Sequence, residues 1–208
     1  EQLRANLLRS ISHDLRTPLT SISGNAELLM RGGGRLGAED VKKLSTYIYD
    51  DSMWLYNLVE NLLCITRIEN GAMSLTLRAE LVSEVAEAAV GHVSRHAQGH
   101  KLRVELAGDD LMARMDARLI VQVLVNLLNN ALQYTPEGSN ILLRAHRRGA
   151  DVCLEVADDG AGIKDADKAR LFDLFVTADK ARGDGRRGIG LGLALCKAIV
   201  EAHGGQIG

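Results

Sequence analysis

From Leu3 to about Arg31, apolar residues return at helical spacing through Leu7, Ile11, Leu15, Leu19, Ile22, Ala26 and Leu29, which predicts one long amphipathic helix. Gly32, Gly33, Gly34 and Gly37 interrupt that rhythm, because each glycine costs about 1 kcal/mol relative to alanine inside a helix and favours turns. The rhythm resumes at Glu39 and runs to about Asn70, with Leu44, Ile48, Leu55, Leu58, Leu62 and Ile65 on one stripe and Asn70-Gly71 as a fitting C-cap. Two helices on a short loop form an antiparallel hairpin, and a lone hairpin cannot cover both apolar stripes. A second copy could. The expected arrangement is therefore a four-helix bundle made by two chains, with Trp54 in its core or rim.

After Gly71 the grammar changes to short strands and helices in mixed order, the signature of an α+β domain. The expected strands are Ser74 to Leu77, Lys101 to Leu106, Leu111 to Met115, Asn140 to His146 and Asp151 to Ala157. The expected helices are Leu81 to His96, Asp116 to Tyr134 and Gly190 to Ala202. The stretch Thr177 to Gly188, rich in Gly, Asp, Arg and Lys without apolar rhythm, reads as a mobile lid. Two domains follow: residues 1–70, a helical hairpin, and residues 71–208, an α/β sandwich.

A net charge of −2 provides no global field to draw the chain onto nucleic acid or an anionic membrane. No run of roughly 18 apolar residues and no signal-peptide pattern occurs, so this segment is not expected to span a membrane or to be exported by itself. Cys64, Cys153 and Cys196 are far apart, lack C-x-x-C spacing and sit in apolar stretches, which favours reduced core thiols in the cytosol over disulfide or zinc chemistry. The chain starts at Glu1 without an initiator Met and stops soon after a Gly-Gly pair, and so reads as an excised fragment.

Ser12-His13-Asp14-Leu15-Arg16-Thr17-Pro18-Leu19 lies in the first helix. Pro18 removes a backbone hydrogen bond there and should bend the helix just after His13. The stripe through Leu15 and Leu19 puts His13 and Thr17, one turn apart, on another, solvated face. In the later helix Gln122, Asn126 and Asn130 fall at i, i+4 and i+8 and form a polar line. Asparagine is a poor helix former, so Asn126, Asn129 and Asn130 within five residues need a reason. One such reason is a neutral oxygen donor facing phosphate and magnesium. Asp158-Asp159-Gly160-Ala161-Gly162 ends a strand; a carboxylate followed by glycines lets a flat ring approach the backbone while the acid accepts a hydrogen bond from it. Phe172 and Phe175, the only phenylalanines, read as an apolar hinge at the base of the lid. Gly188-Ile189-Gly190-Leu191-Gly192-Leu193 opens the last helix, where unpaired amides suit phosphate oxygens. Gly183 to Gly188 matches G-x-G-x-x-G, but no apolar strand precedes it and no Gly-Lys pair occurs. Dinucleotide and Walker-type phosphate loops are thereby excluded.

With these motifs in order, the chain resembles a sensor histidine kinase over nearly its whole length. Residues 12–19 resemble the H box, Asn126 to Tyr134 the N box, and Asp158-x-Gly160-x-Gly162 the first glycine box. Phe172 and Phe175 resemble the F box, and Gly188-x-Gly190-Leu191-Gly192 the second glycine box. Residues 48–55, with Thr177-Ala-Asp-Lys180 and Asp184-Gly-Arg186-Arg187-Gly188, look like the kinase region of potassium-responsive sensors controlling a potassium-uptake ATPase.

The resemblance implies a dimeric hairpin followed by a sandwich domain of the gyrase, chaperone and histidine-kinase ATPase superfamily. It makes His13 the phosphoacceptor, Asp14 the base for its ring proton, and Thr17 a residue that positions water when the enzyme dephosphorylates its response regulator. ATP and Mg2+ would be bound in the second domain. Asn130 would ligate the magnesium, Asn126 would support the phosphates, and Gln133 and Tyr134 would complete the N box. Asp158 would read the adenine amine, and Gly188, Gly190 and Gly192 would cradle the phosphates. The family often has lysine where Gln133 stands, so Lys180, Arg186 or Arg187 would supply that contact. Rotation of the second domain would bring ATP to His13, with a hinge near Asn70 and Gly71. The partners implied are a second copy of the chain and a cognate regulator, not nucleic acid, and the parent would be a membrane-anchored bacterial sensor with this part in the cytoplasm. The family also continues for a further strand or two past Gly208, so the sheet edge is expected to be truncated. Two other classes share some features: an ATP-gated binding protein of the same superfamily, which would lack the H box, and an inactive pseudo-kinase scaffold, which would have lost motif positions.

Overall fold

The computed structural model describes residues 2–32, 36–69, 74–94, 97, 99–108, 110–174, 176 and 190–208, with side chains from Leu15 onward except at 65, 68 and 69. The chain folds as two compact units, Glu1–Cys64 and Ile65–Gly208. No helix among the described residues is long and apolar enough to cross a membrane.

The first unit is a helical hairpin of α1 (Gln2–Gly32) and α2 (Ala38–Glu69). Along α2 the expected stripe is covered: Leu58 is buried, and Leu44, Ile48, Leu55 and Leu62 are half-buried, as is Trp54. On α1 the covered line runs through Leu15, Pro18, Ile22, Ala26 and Leu29. Leu19, expected on that line, is 52% exposed, and Pro18 is buried in its place. The helix passes through Pro18 without a break in helical assignment, although the ring leaves the carbonyl four residues earlier without its usual donor. A second set of apolar side chains stays open in the single hairpin, among them Leu19, Val41, Tyr56, Val59 and Leu63.

The second unit contains β1 (Arg78–Leu81), α3 (Val82–Val93), β2 (Lys101–Leu106), β3 (Met112–Met115), α4 (Ala117–Tyr134), β4 (Asn140–Arg148), β5 (Asp151–Asp158), the short α5 (Asp165–Lys168) and α6 (Gly192–Ala202). β1 pairs antiparallel with β3. β4 is central in the other sheet, parallel to β2 and antiparallel to β5. The β4–β5 turn places Gly149 at φ +64, a backbone conformation natural to glycine. Period-2 alternation divides the faces of this sheet. Ile141, Leu143 and Ala145 of β4 are wholly buried, whereas Leu142, Arg144 and His146 point the other way. The helical layer contributes Val85 and Ala89 from α3, Leu124 and Leu128 from α4, and Leu195 and Ile199 from α6 to the same core. Helix α4 packs against α3, α6, β4 and β5 and is therefore the central element of the unit.

The N-terminus of α4 is fixed by a cap that reaches three segments. The Asp116 carboxylate accepts from the amide of Leu119 at 3.4 Å and from that of Thr76 at 3.1 Å. The Asp116 amide donates to Nε2 of His203 at 3.0 Å, while Nδ1 of His203 lies 2.7 Å from the carbonyl of Ile199. Together these contacts define a neutral imidazole that donates from Nδ1 and accepts at Nε2. The cap also explains a departure from the sequence reading: residues 74–77 form no strand, because the Thr76 amide is held by a side chain, and pairing with β3 begins only at Arg78.

Candidate functional site

Helix α4 brings the polar residues of the second unit together. Leu119, Ile120, Val123, Leu124 and Leu128 fill its buried face, and Gln122, Asn126 and Asn130 form a half-buried polar line beside it. At one end of that line lies the start of α6: a β-carbon built on Gly192 would stand 3.9 Å from Cγ of Asn126. The first amides of α6 have no partner within the helix, and no side chain caps it. Gly190, just before it, has φ +70. Nδ2 of Asn126 is buried with no hydrogen-bond partner among the described residues, which is a costly state for an amide unless a ligand completes it. Asn126 lies close enough to Cys196 to offset part of a rise in that thiol's pKa, which burial pushes up to about 12. Cys196 is thus an inert thiol, donating weakly to the carbonyl of Val123 at 3.7 Å.

At the other end of the line is the loop after β5. The Gly160 amide donates to Oδ1 of Asp158 at 2.9 Å. A β-carbon on Gly160 would come within 2.8 Å of that oxygen and 2.9 Å of Cγ2 of Thr135. Only glycine lets the loop lie this close to the end of α4, where the buried Thr135 hydroxyl donates to the carbonyl of Ala131 at 2.7 Å. Asp158 is itself exposed, and Gly162 follows with φ +71. From Asn126 to Tyr134 the helix rises about 12 Å, so Asn130 stands near the middle of a groove-length polar edge between the α6 amides and the Asp158 loop. Gln133 and Tyr134 are exposed at the end of α4.

Asp159 was not singled out by the sequence. Its Oδ1 accepts from the Asn140 amide at 2.9 Å and its Oδ2 from Nδ2 of Asn140 at 2.6 Å. The side-chain hydrogen bond from Asn140 is the main reason its carboxyl is held below the usual value. The Asp158-Asp159 doublet thus splits in role, the second residue fastening the start of β4 while the first borders the α4 edge. Nothing in the spacing distinguishes the two.

In the first unit Thr17 is exposed, as expected for its face of α1. Phe172 is half-buried in the turns after α5. The side chains of His13 and Asp14, together with Phe175, Lys180, Arg186, Arg187, Gly188 and the expected lid, lie outside the described residues.

Comparison with known proteins agrees with this division of the chain. Residues 3–71 match the His Kinase A (phospho-acceptor) domain. Residues 115–208 match the Histidine kinase-, DNA gyrase B-, and HSP90-like ATPase family. The chain belongs to the sensor histidine kinases. It is 44% identical over 207 residues to the sensor protein KdpD of Clostridium acetobutylicum, an alignment covering all of this chain and 23% of that protein. It is similar in structure to full-length ShkA in complex with AMPPNP, with TM-score 0.66, 27% identity and coverage of 96% of this chain and 41% of that one. A third similarity is to the Acinetobacter baumannii histidine kinase AdeS, with TM-score 0.64, 26% identity and coverage of 91% and 86%. The chain spans about a quarter of the length of the curated relatives it matches.

Proposed function

We propose that this chain is the catalytic core of a sensor histidine kinase that transfers the terminal phosphoryl group of Mg2+-ATP to His13 and then to an aspartate of a response regulator. The observation that carries this reading is the polar edge of α4, with the buried, unpartnered Nδ2 of Asn126 beside the open N-terminus of α6. Amide donors at a helix start and an unsatisfied carboxamide are complementary to phosphate oxygens. Asp158 then sits at the far end of the edge, where its free oxygen can accept from an adenine amine.

The half-buried Asn130 carboxamide offers a hard, neutral oxygen, which fits one protein ligand to an ion that keeps most of its shell as water and phosphate oxygen. Such an ion, when bound, neutralises charge on the phosphates. The chain's own residues do the rest by positioning. A ring nitrogen of neutral His13 attacks the terminal phosphorus, the bond to ADP breaks, and Asp14 accepts the proton released from the imidazolium. Thr17, exposed one turn on, would orient water for hydrolysis of the regulator's phosphoaspartate. Gly188, Gly190, Gly192 and, from the lid, Lys180, Arg186 or Arg187 would hold the phosphates, while Phe172 and Phe175 anchor the lid.

The open apolar side chains of the hairpin suit a homodimer. Residues 1–70 would then serve as the dimerisation and phosphotransfer domain and residues 71–208 as the ATP-binding domain. The likeness to KdpD supports a role in a potassium-responsive pathway, with the chain as the cytoplasmic part of a membrane-anchored parent.

The test uses the whole chain incubated with Mg2+ and ATP labelled in its terminal phosphate, beside His13→Gln. Label that is acid-labile, alkali-stable and missing from the variant is the expected result. Label persisting in the variant would move the acceptor elsewhere, and ATP binding with no label at all would favour a scaffold.

A further inference from the structure

Cys153, expected in the core from its apolar neighbours, stands on the face of the β2–β4–β5 sheet turned away from the buried Ile141, Leu143 and Ala145. The antiparallel register sets it directly across from His146 on β4, and Glu155 follows two residues later on the same face of β5. One ligating atom from each of these three side chains lies within 4.8 Å of the other two. Sγ of Cys153 is 3.9 Å from Oε1 of Glu155. Nδ1 of His146 is buried with no hydrogen-bond partner among the described residues. Arg144 sits alongside, bonded chiefly to Glu105 through Nε and Nη2 at 3.2 and 3.0 Å, and it reaches Oε2 of Glu155 only at 3.8 Å. Glu155 is therefore held from one side by a cation while its other oxygen faces the thiol.

We propose that His146, Cys153 and Glu155 form a site for one divalent transition ion of the zinc type. A thiolate, an imidazole and a carboxylate are a donor set that zinc accepts, and hard ions such as magnesium do not favour sulfur. Bonds of about 2.0–2.3 Å to a tetrahedral ion require the three atoms to close by about an ångström, which side-chain rotation on a half-exposed sheet face permits. Water fills the fourth position, so the site binds and pins rather than being closed by protein alone. On binding, the Cys153 thiol loses its proton to solvent as the sulfur–metal bond forms, so one proton is released per ion captured. The ion would tie β4 to β5 across the strand that ends at Asp158, far in character from the oxygen-only chemistry expected at Asn130. The proposal does not depend on the phosphotransfer reading.

The probes are Zn2+, by competition with a chromophoric chelator, and Co2+, by absorption, both on the intact chain without nucleotide. The expected result is one equivalent bound, with a thiolate-to-cobalt charge-transfer band and the visible bands of a tetrahedral centre. Cys153→Ser and His146→Gln should each weaken Zn2+ binding at least about 100-fold and Glu155→Gln about 10-fold or more, at or beyond the loss caused by removing a mere supporting partner. Cys64→Ser should leave both readouts intact. Circular dichroism and unfolding without metal should match across the variants. Absence of stoichiometric binding, a charge-transfer band that survives Cys153→Ser, or unchanged affinity in His146→Gln would each overturn the proposal.

Discussion

At the scale of single residues, two side chains that the sequence did not mark carry checkable energetics. Asp159 is fully at the surface, yet its two oxygens accept from the backbone and side chain of Asn140, chiefly the latter, which lowers its pKa from 3.8. A carboxyl depressed in the folded state stabilises the protein at pH values above its unfolded pKa and loses that contribution as pH falls through its folded pKa. Asp159→Asn should therefore lower the melting temperature near neutral pH, and the gap from the parent chain should close below about pH 4, where the carboxyl of the unfolded state is already protonated. A gap that stays constant across the titration would show that Asp159 does not act through its charge. His203 is a second case. Removing it in His203→Ala strips the acceptor from the amide of Asp116, a residue only 8% exposed, and breaks the contact with Ile199. Leaving a buried donor unsatisfied costs about 1–3 kcal/mol, a loss that urea unfolding would measure directly. Neither role could be read from the sequence, because both partners lie far along the chain: Asp116 is separated from His203 by 87 positions, and Asn140 from Asp159 by 19.

At the scale of elements, the periodicities held where one face is buried and failed where pairing decides. Helix α4 follows its expected span closely because its stripe of Leu and Val residues has no other way to be covered. The first strand is different. Ser74-Leu-Thr-Leu77 has the better alternation, and Leu75 and Leu77 are half-buried, but the ladder forms four residues later at Arg78–Leu81, where β3 offers matching backbone groups. A side-chain acceptor on Asp116 holds the earlier segment instead, and such an acceptor leaves no period in the sequence. The loop after β5 likewise depends on contact. Gly160→Ala places a carbon within 2.9 Å of Cγ2 of Thr135. We expect a stability loss of about 1–3 kcal/mol, typical of forced overpacking. Because 1.4 kcal/mol corresponds to about tenfold in an equilibrium, ATP affinity should fall by a comparable factor in equilibrium dialysis. Normal affinity in the variant would show that the loop does not border the nucleotide.

At the scale of the whole molecule, the chain carries two units with different requirements. The second unit has a closed core of its own, whereas the hairpin leaves Leu19 52% and Val59 47% exposed. Exposed apolar rows on a two-helix unit call for a partner, and a second copy supplies it with the same chemistry on both sides. Val59→Glu should shift the chain from dimer to monomer in sedimentation equilibrium at micromolar concentration while leaving ATP binding by the second unit unchanged. A variant that remains fully dimeric would place the interface on another face.

By itself the sequence determined the helical hairpin, the change of architecture after it, the polar line on α4 and the glycine-bearing ends of β5 and α6, because periodicity and residue chemistry are local properties. Only the tertiary structure decided that Pro18 rather than Leu19 is covered, that Asp159 fastens β4 while Asp158 borders the α4 edge, and that His146, Cys153 and Glu155 share one face. Those outcomes follow from register and long-range packing, in which a residue's neighbours are set by strands and helices far away in the chain.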